Sequence, residues 1–395
     1  MNQNTVKPKR ALPLFWWLGL VSLVLAYGTG QYLKGETITE LIQGHFPAVA
    51  FSAVDWSDDS YGLTSIPENT PIGYLVTKAT AGWGGPLLVA VQFSSEGEIK
   101  NVVVLTHKET PAFFRSLQRE GFFKQFAGKK TQDTFEVGSE IQAVSGATVS
   151  SAAFTTAVRL SAHDLGTNLL NLKIEVPREP WEIGADEAIL LLLYAVIIIS
   201  ILRKIIKIRK MILVFCIGFL GVHLASPISI SNIGALLLGY FPPVKTQLFW
   251  YLLVVGTLLL ILIWGRNLYC VWMCPFGAIQ EMITTIAGLR IRVPGSIIRY
   301  AEYLILFLLW ASLIIMFLTT TPALGMFEPF ATLFSLKGSG VQWYLVSASI
   351  LASFVVPRFW CRFFCPVGAF FRNVISVRKT IIRSFTQGKD EKKEP

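Results

Sequence analysis

Four of the five cysteines fall in two pairs of one spacing, Cys270-Val-Trp-Met-Cys274-Pro275 and Cys361-Arg-Phe-Phe-Cys365-Pro366. An i, i+4 spacing puts both sulfurs of a pair on one helix face. The proline that follows ends or kinks such a helix. Two such helix ends, brought together, present four thiolates. Four thiolates suit a [4Fe-4S] cluster or a structural zinc. The plain alternative is packing, since free cysteine is commonly buried. Each pair is preceded by an arginine, Arg266 or Arg358, and followed by Pro-x-Gly-Ala. This is an internal repeat, and repeats in membrane proteins often frame a site at their interface. Cys216 stands alone in an apolar stretch and is expected to pack.

A second candidate is Ser145-Gly146-Ala147-Thr148, directly before an expected helix over 149–165. Small residues allow close backbone approach. The free N–H groups and dipole of that helix start favour a phosphate. Taken alone, the tetrapeptide also reads as an ordinary N-cap, with Thr148 or Ser145 capping. Histidines narrow the redox options further. His45, His107 and His163 precede the apolar half of the chain, leaving His223 alone within it. A bis-histidine haem b inside the membrane region is therefore excluded. His223 is expected to make an interhelical hydrogen bond.

The elements that must position these groups follow from composition. Charged residues are 15% of the 395 and the mean hydropathy is +0.54. Soluble domains carry roughly 25% charged residues. The formal net charge of +10 does not indicate nucleic acid, because the excess sits with the most apolar part. Residues 34–183 hold 12 basic and 17 acidic residues, whereas 184–395 hold 20 and 8.

The expected architecture is an integral membrane protein. It has an α-helical six-span core and an inserted α+β extracytoplasmic domain. Residues 1–33 form a cytoplasmic N-terminus and a first span, read as a retained anchor. Residues 34–183 form the outer domain. Residues 184–375 form a five-helix core with spans near 186–202, 211–226, 247–264, 300–318 and 341–357. Residues 376–395 are a charged cytoplasmic tail. Short connections on one side carry 21 basic residues, Lys7, Lys9 and Arg10 among them, against two, Lys245 and Lys337, on the other. That asymmetry puts both termini in the cytoplasm. The apolar run 228–243 reads as a re-entrant or interfacial segment, tolerated only where protein or a cavity covers it. In the outer domain, Ile72–Ala79, Leu87–Ser94 and Ile99–Thr106 read as strands, with Ser95-Glu96-Gly97-Glu98 turning the last pair. Pro111–Phe126 reads as a helix.

Several pieces of the outer domain recur in one family, in order and spacing. They are Gly82-Trp83-Gly84-Gly85-Pro86, His107-Lys108-Glu109-Thr110-Pro111, Phe126-Ala127-Gly128-Lys129 and Ser145-Gly146-Ala147-Thr148-Val149-Ser150-Ser151. The run from Gly73 to Arg159 thus resembles the FMN-binding domain of the RnfG and NqrC electron-transport proteins. The resemblance implies FMN joined through a phosphoester to Thr148, with a flavin transferase for maturation. It implies further contacts from Ser145, Gly146, Ala147, Glu109, Thr110, Gly84 and Gly85.

With both cysteine motifs included, residues 12–375 resemble the NosR/NirI family, most of all its short members beside reductive dehalogenases (PceC type). That resemblance implies an electron-transfer flavoprotein rather than a stand-alone catalyst. It would carry electrons from the quinone or menaquinol pool to an extracytoplasmic reductase. The alternative is a regulatory or maturation role with a redox-sensing flavin.

Overall fold

The computed structural model describes residues 12–390 apart from 34–36, 55–56, 67, 69, 175–183, 290, 292, 337 and 339. Lys7, Lys9, Arg10 and Lys337, used above for orientation, lie outside the described residues.

Helix α1 (Leu12–Tyr32) leads to a short α2 (Ile38–His45) and five strands. These are β1 (Val49–Val54), β2 (Ser57–Ser65), β3 (Pro71–Ala81), β4 (Pro86–Phe93) and β5 (Ile99–His107). They form an antiparallel meander in chain order. Alternation along β4 sends Val89, Val91 and Phe93 to one face and Ala90 to the other. The first face packs on α4 (Thr148–Asn168) through Phe154, Val158 and Leu165. The second face is covered by Ile42 of α2. Gly97, at φ 83°, makes the turn from β4 into β5.

The expected helix over Pro111–Phe126 is broken. It is α3 (Pro111–Arg119), then Gly121 at φ 66°, then a 3-10 turn over Phe122–Phe126. Gly121 supplies the left-handed residue that ends α3.

The remainder is helical. It comprises α5 (Ala185–Leu202), α6 (Arg209–Cys216), α7 (Ile230–Leu238), α8 (Leu248–Tyr251) and α9 (Thr257–Trp264). Then follow α10 (Pro275–Ala287), α11 (Gly295–Thr319), α12 (Phe330–Ser335), α13 (Gly340–Ser353), α14 (Phe359–Phe363) and α15 (Pro366–Asp390). Wider turns extend α6 over Ile217–His223 and join α8 to α9 over Leu252–Gly256.

Among the described residues two helices, α5 and α11, are long and apolar enough to cross a membrane, and Leu248–Trp264 is a shorter apolar helix. Helix α1 lies along α11, with Ser22 Oγ accepting from Trp310 Nε1 at 2.9 Å. Leu18, Val21, Val24 and Leu25 of α1 remain exposed, an apolar surface that water disfavours.

The run 228–243 contains α7, closed by Gly239 at φ 77°. Ile230, Ile233, Ala235 and Leu238 are buried, so the covering required of such a segment is met.

Candidate flavin and thiolate sites

The Ser-Gly-Ala-Thr segment stands at the start of α4. Ala147 is the N-cap, with Thr148 the first helical residue. Thr148 is therefore not the cap, and its side chain is exposed. Ala147 brings no side-chain acceptor to the first turn, which leaves that turn suited to a phosphate. Gly146 has φ 71°, a conformation that Gly adopts freely.

One and a half turns on, Thr80 Oγ1 of β3 donates to the Ala153 carbonyl (3.1 Å). Ser150 Oγ donates to Glu109 Oε2 at 2.6 Å. The other carboxylate oxygen accepts the Gly84 N–H at 3.3 Å. Glu109 is 1% exposed, and burial pushes its carboxyl above the usual range. One buried carboxyl thus ties the Gly82–Pro86 turn to the first turn of α4.

The glycines of that turn are close-packed. A Cβ on Gly82 would run into Glu109 Oε1, and one on Gly84 into the Lys108 carbonyl. His107 stacks on Phe114 with ring centres 3.7 Å apart. Its Nδ1 is buried without a partner among the described residues. An exposed hydroxyl at an open helix start fits a phosphate-bearing ligand.

The turn also meets the helical half. A Cβ on Gly85 would lie 2.9 Å from Tyr240 Cδ2. Lys108 Nζ donates to Thr320 Oγ1 (3.0 Å) and Thr321 Oγ1 (3.1 Å). The Tyr240 hydroxyl donates to the Thr320 carbonyl (3.0 Å). Between the two halves lies a cavity of about 260 Å³ with Thr80, Trp83, Pro86, Tyr240, Phe241 and Trp250 among its walls.

The cysteine pairs converge. Cys274 Sγ and Cys361 Sγ, one from each repeat, lie 3.7 and 3.6 Å from where a Cβ on Gly277 would stand. Glycine leaves that space between the sulfurs open. The Gly277 N–H points at Cys274 Sγ (3.5 Å), and the Gly368 N–H at Cys365 Sγ (3.4 Å). All five cysteines are free thiols.

The prolines do not kink a continuing helix. Pro275 and Pro366 each open a new one, α10 and α15. Proline at the first helical position has no N–H to lose, and Cys274 before it is extended at ψ 112°.

Sequence reasoning missed the clamp behind the sulfurs. Glu281 of α10 takes Arg209 in a two-point pair (2.8 and 2.7 Å) and Arg358 Nε at 2.9 Å. Arg358 Nη1 also donates to the Cys270 carbonyl (2.8 Å). This holds Arg358 in a left-handed conformation, φ 55°, that costs a non-glycine residue about 1–3 kcal/mol. Cys216 is buried with its thiol toward the Trp272 carbonyl (3.9 Å), as expected of a packing residue. His223 pairs with Asp186 of α5 at 3.3 Å, as its expected hydrogen bond required.

Among the described residues no three Cys, His, Asp or Glu side chains close around one ion position. Tetrahedral zinc would draw the sulfurs to ~2.3 Å from a shared centre, whereas a cluster sets its thiolates farther apart. Two buried donors, Gln280 Nε2 and Trp360 Nε1, lack partners among the described residues. N–H donors of this kind suit the sulfides of a cluster. Four cysteine thiolates are the donor set of a [4Fe-4S] cluster.

Helix α7 links the two sites. At its start the Ile228 N–H donates to the Tyr269 hydroxyl (2.8 Å), one residue before Cys270. The Ile230 N–H is shared by both Glu328 oxygens at 3.0 Å. Just past its end is Tyr240, against Gly85.

Comparison with known proteins agrees with this geometry. The FMN-binding domain family matches residues 82–162, and the 4Fe-4S binding domain family matches 246–294 and 344–384. Regulatory protein NosR of Pseudomonas aeruginosa is 29% identical over 179 residues, 41% of this chain and 25% of NosR. Protein NirI of Paracoccus denitrificans is 33% identical over 134 residues, 31% of this chain and 18% of NirI. The chain is thus similar in part to the NosR and NirI proteins. It spans about a quarter of the length of the NosR proteins it matches. A component of the Na(+)-translocating ferredoxin:NAD(+) oxidoreductase complex of Acetobacterium woodii is 32% identical over 170 residues, 36% of this chain and 81% of that component. The chain belongs to the FMN-binding family that includes this component.

Proposed function

We propose that this protein is a multi-pass membrane flavoprotein that moves electrons between a thiolate-held cluster at the cytoplasmic side and FMN in an extracytoplasmic domain. The observation that carries the reading is α7, one short helix touching Tyr269 at its start and leading to Tyr240, against the flavin turn, at its end. The basic residues in the short loops support six spans with both termini inside, which would give the domains this order. Electrons enter from the menaquinol pool and leave to an exported reductase of reductive-dehalogenase type.

Bound FMN supplies one- and two-electron chemistry, and a cluster on Cys270, Cys274, Cys361 and Cys365 supplies one-electron chemistry. The chain's own residues position both. The Thr148 hydroxyl holds the phosphate as an ester at an open helix start. Glu109 fixes the Gly82–Pro86 turn against α4. Arg358, pinned by Glu281, fixes the Cys270 carbonyl.

A second reading has a specific support, the name Regulatory protein carried by the NosR relatives. In it, the flavin reports redox state and the cysteines are structural.

The test is quinol-driven flavin reduction in liposomes, with protein made alongside a flavin transferase. Rapid reduction that is lost in Cys361→Ser supports electron transfer. Flavin that stays oxidised under quinol, with an intact cluster, favours the regulatory reading. A phosphatase fusion at residue ~100 should be active, and one within 203–210 inactive, by the loop-charge rule.

A further inference from the structure

The Gly82–Pro86 turn supplies only one wall of a half-open cleft. The cavity of about 260 Å³ takes its other half from Ala235, Tyr240, Phe241 and Trp250 of the helical region. Its size is just under the ~300–1,000 Å³ of small-molecule sites. That suits a planar ring system, and the walls suit it too. Trp83, Tyr240, Phe241 and Trp250 are aromatic, and Pro86 and Ala235 are apolar. Flat aromatic surfaces favour offset stacking on a flat ring. A phosphate would find little there.

The space is also within reach of Thr148. Ser150, two residues along α4, is separated from the Gly84 backbone by a single carboxyl group and its two hydrogen bonds. Thr80, in the cavity wall, bonds to Ala153 of the same helix. Between Thr148 and Ala153 the helix rises only ~7.5 Å. A five-carbon ribityl chain starting at an ester on Thr148 can therefore set its ring in this cavity.

We propose that the cavity between the Gly82–Pro86 turn and Tyr240–Trp250 is the seat of the flavin's isoalloxazine ring. This rests on the reading that FMN is attached at Thr148. The outer domain alone would hold the phosphate end and leave the ring half uncovered. The helical region completes the site, and the Lys108 contacts to Thr320 and Thr321 keep the two walls at a fixed separation. No residue of this second wall lies within 82–162, the part matched by the FMN-binding domain family.

The experiment compares flavin fluorescence in native and denatured full-length protein in detergent. Stacked aromatic side chains quench a flavin ring. Wild type should be severalfold dimmer native than denatured and closed to iodide. Ala235→Trp fills the cavity from the α7 side, and Phe241→Ala removes a half-exposed rim residue at little risk to folding. Both should keep the covalent flavin band on a denaturing gel. Ala235→Trp should raise native fluorescence severalfold, and Phe241→Ala should open the ring to iodide. Unchanged native fluorescence and iodide access in both variants, with the band intact, would overturn the seat alone. So would a wild type equally bright native and denatured. Loss of quinol reduction by Ala235→Trp with unchanged flavin fluorescence would assign the cavity to a quinol and likewise refute the proposal. A wild type with no covalent band refutes the attachment at Thr148 instead.

Discussion

The Ile228 N–H and the Tyr269 hydroxyl form a buried hydrogen bond of 2.8 Å that fastens the entry of α7 to the residue before Cys270. Tyr269 is 1% exposed, so water cannot readily take its place. Leaving a buried donor unsatisfied costs about 1–3 kcal/mol. Tyr269→Phe should therefore lower apparent thermal stability in detergent by a few degrees and leave the covalent flavin in place. A variant that melts with wild type would mean the bond contributes nothing.

Thr148→Ala should abolish the flavin-fluorescent band under denaturing conditions, and Thr148→Ser should retain it, since either hydroxyl can carry the ester. A band persisting in Thr148→Ala would move the attachment to another hydroxyl, with Ser145, Ser150 and Ser151 the next to test.

Glu109 gives the outer domain a pH signature. Burial raises its carboxyl from the ordinary 4.5, and bonds from Ser150, Gly84 and Trp83 oppose that only in part. The folded state then holds the proton more tightly than the unfolded chain. Its contribution is full below pH about 4.5 and is lost as pH rises through the raised folded value. Glu109→Gln should flatten this decline, read as melting temperature of the outer-domain transition against pH. Parallel slopes in the two proteins would contradict it.

Single Cys→Ser changes at 270, 274, 361 and 365 should each remove most of the bound iron, because metal binding and folding are coupled. Cys216→Ser should change nothing. Anaerobically purified protein should carry about four irons with matching sulfide, as a [4Fe-4S] cluster requires. One zinc per chain would mark a structural site.

Glu281→Gln removes the charge that both Arg209 and Arg358 meet. Breaking such half-buried pairs should destabilise the protein by about 1–3 kcal/mol. It should also make iron loss on dilution faster. Iron retention equal to wild type would confine Glu281 to folding.

Strands β3 to β5 and helix α4 were legible in the sequence because alternation and an apolar stripe are local signals. Strands β1 and β2 were not. Ser57–Ser65 reads Ser-Asp-Asp-Ser-Tyr-Gly-Leu-Thr-Ser, and only Ser60 and Leu63 are buried, so the strand is held by its neighbours rather than by its own pattern. The cysteine repeat was legible from spacing alone. The helix starts at Pro275 and Pro366 required knowing that each Cys-Pro step begins a helix. Tyr240 and Trp250 could not be placed beside Trp83 without the fold, because about 160 residues separate them in the chain. Glu281 was invisible for the same reason, its two arginines lying 72 and 77 positions away.

The short reach of α7 sets an electrical length as well as a structural one. From Ile230 to Leu238 α7 has 9 residues, a rise of ~12 Å at helical spacing. The hydrocarbon layer is ~30 Å thick. In the proposed orientation, with the flavin domain outward, an electron passing along α7 from the cysteine end to the flavin end would cross up to ~40% of the membrane voltage. At ~2.3 kcal/mol per charge per 100 mV, the work at ~100 mV is about 0.9 kcal/mol. In a cell negative inside, that work assists the outward step, so a donor of given potential drives the flavin lower in an energised membrane than in a leaky one.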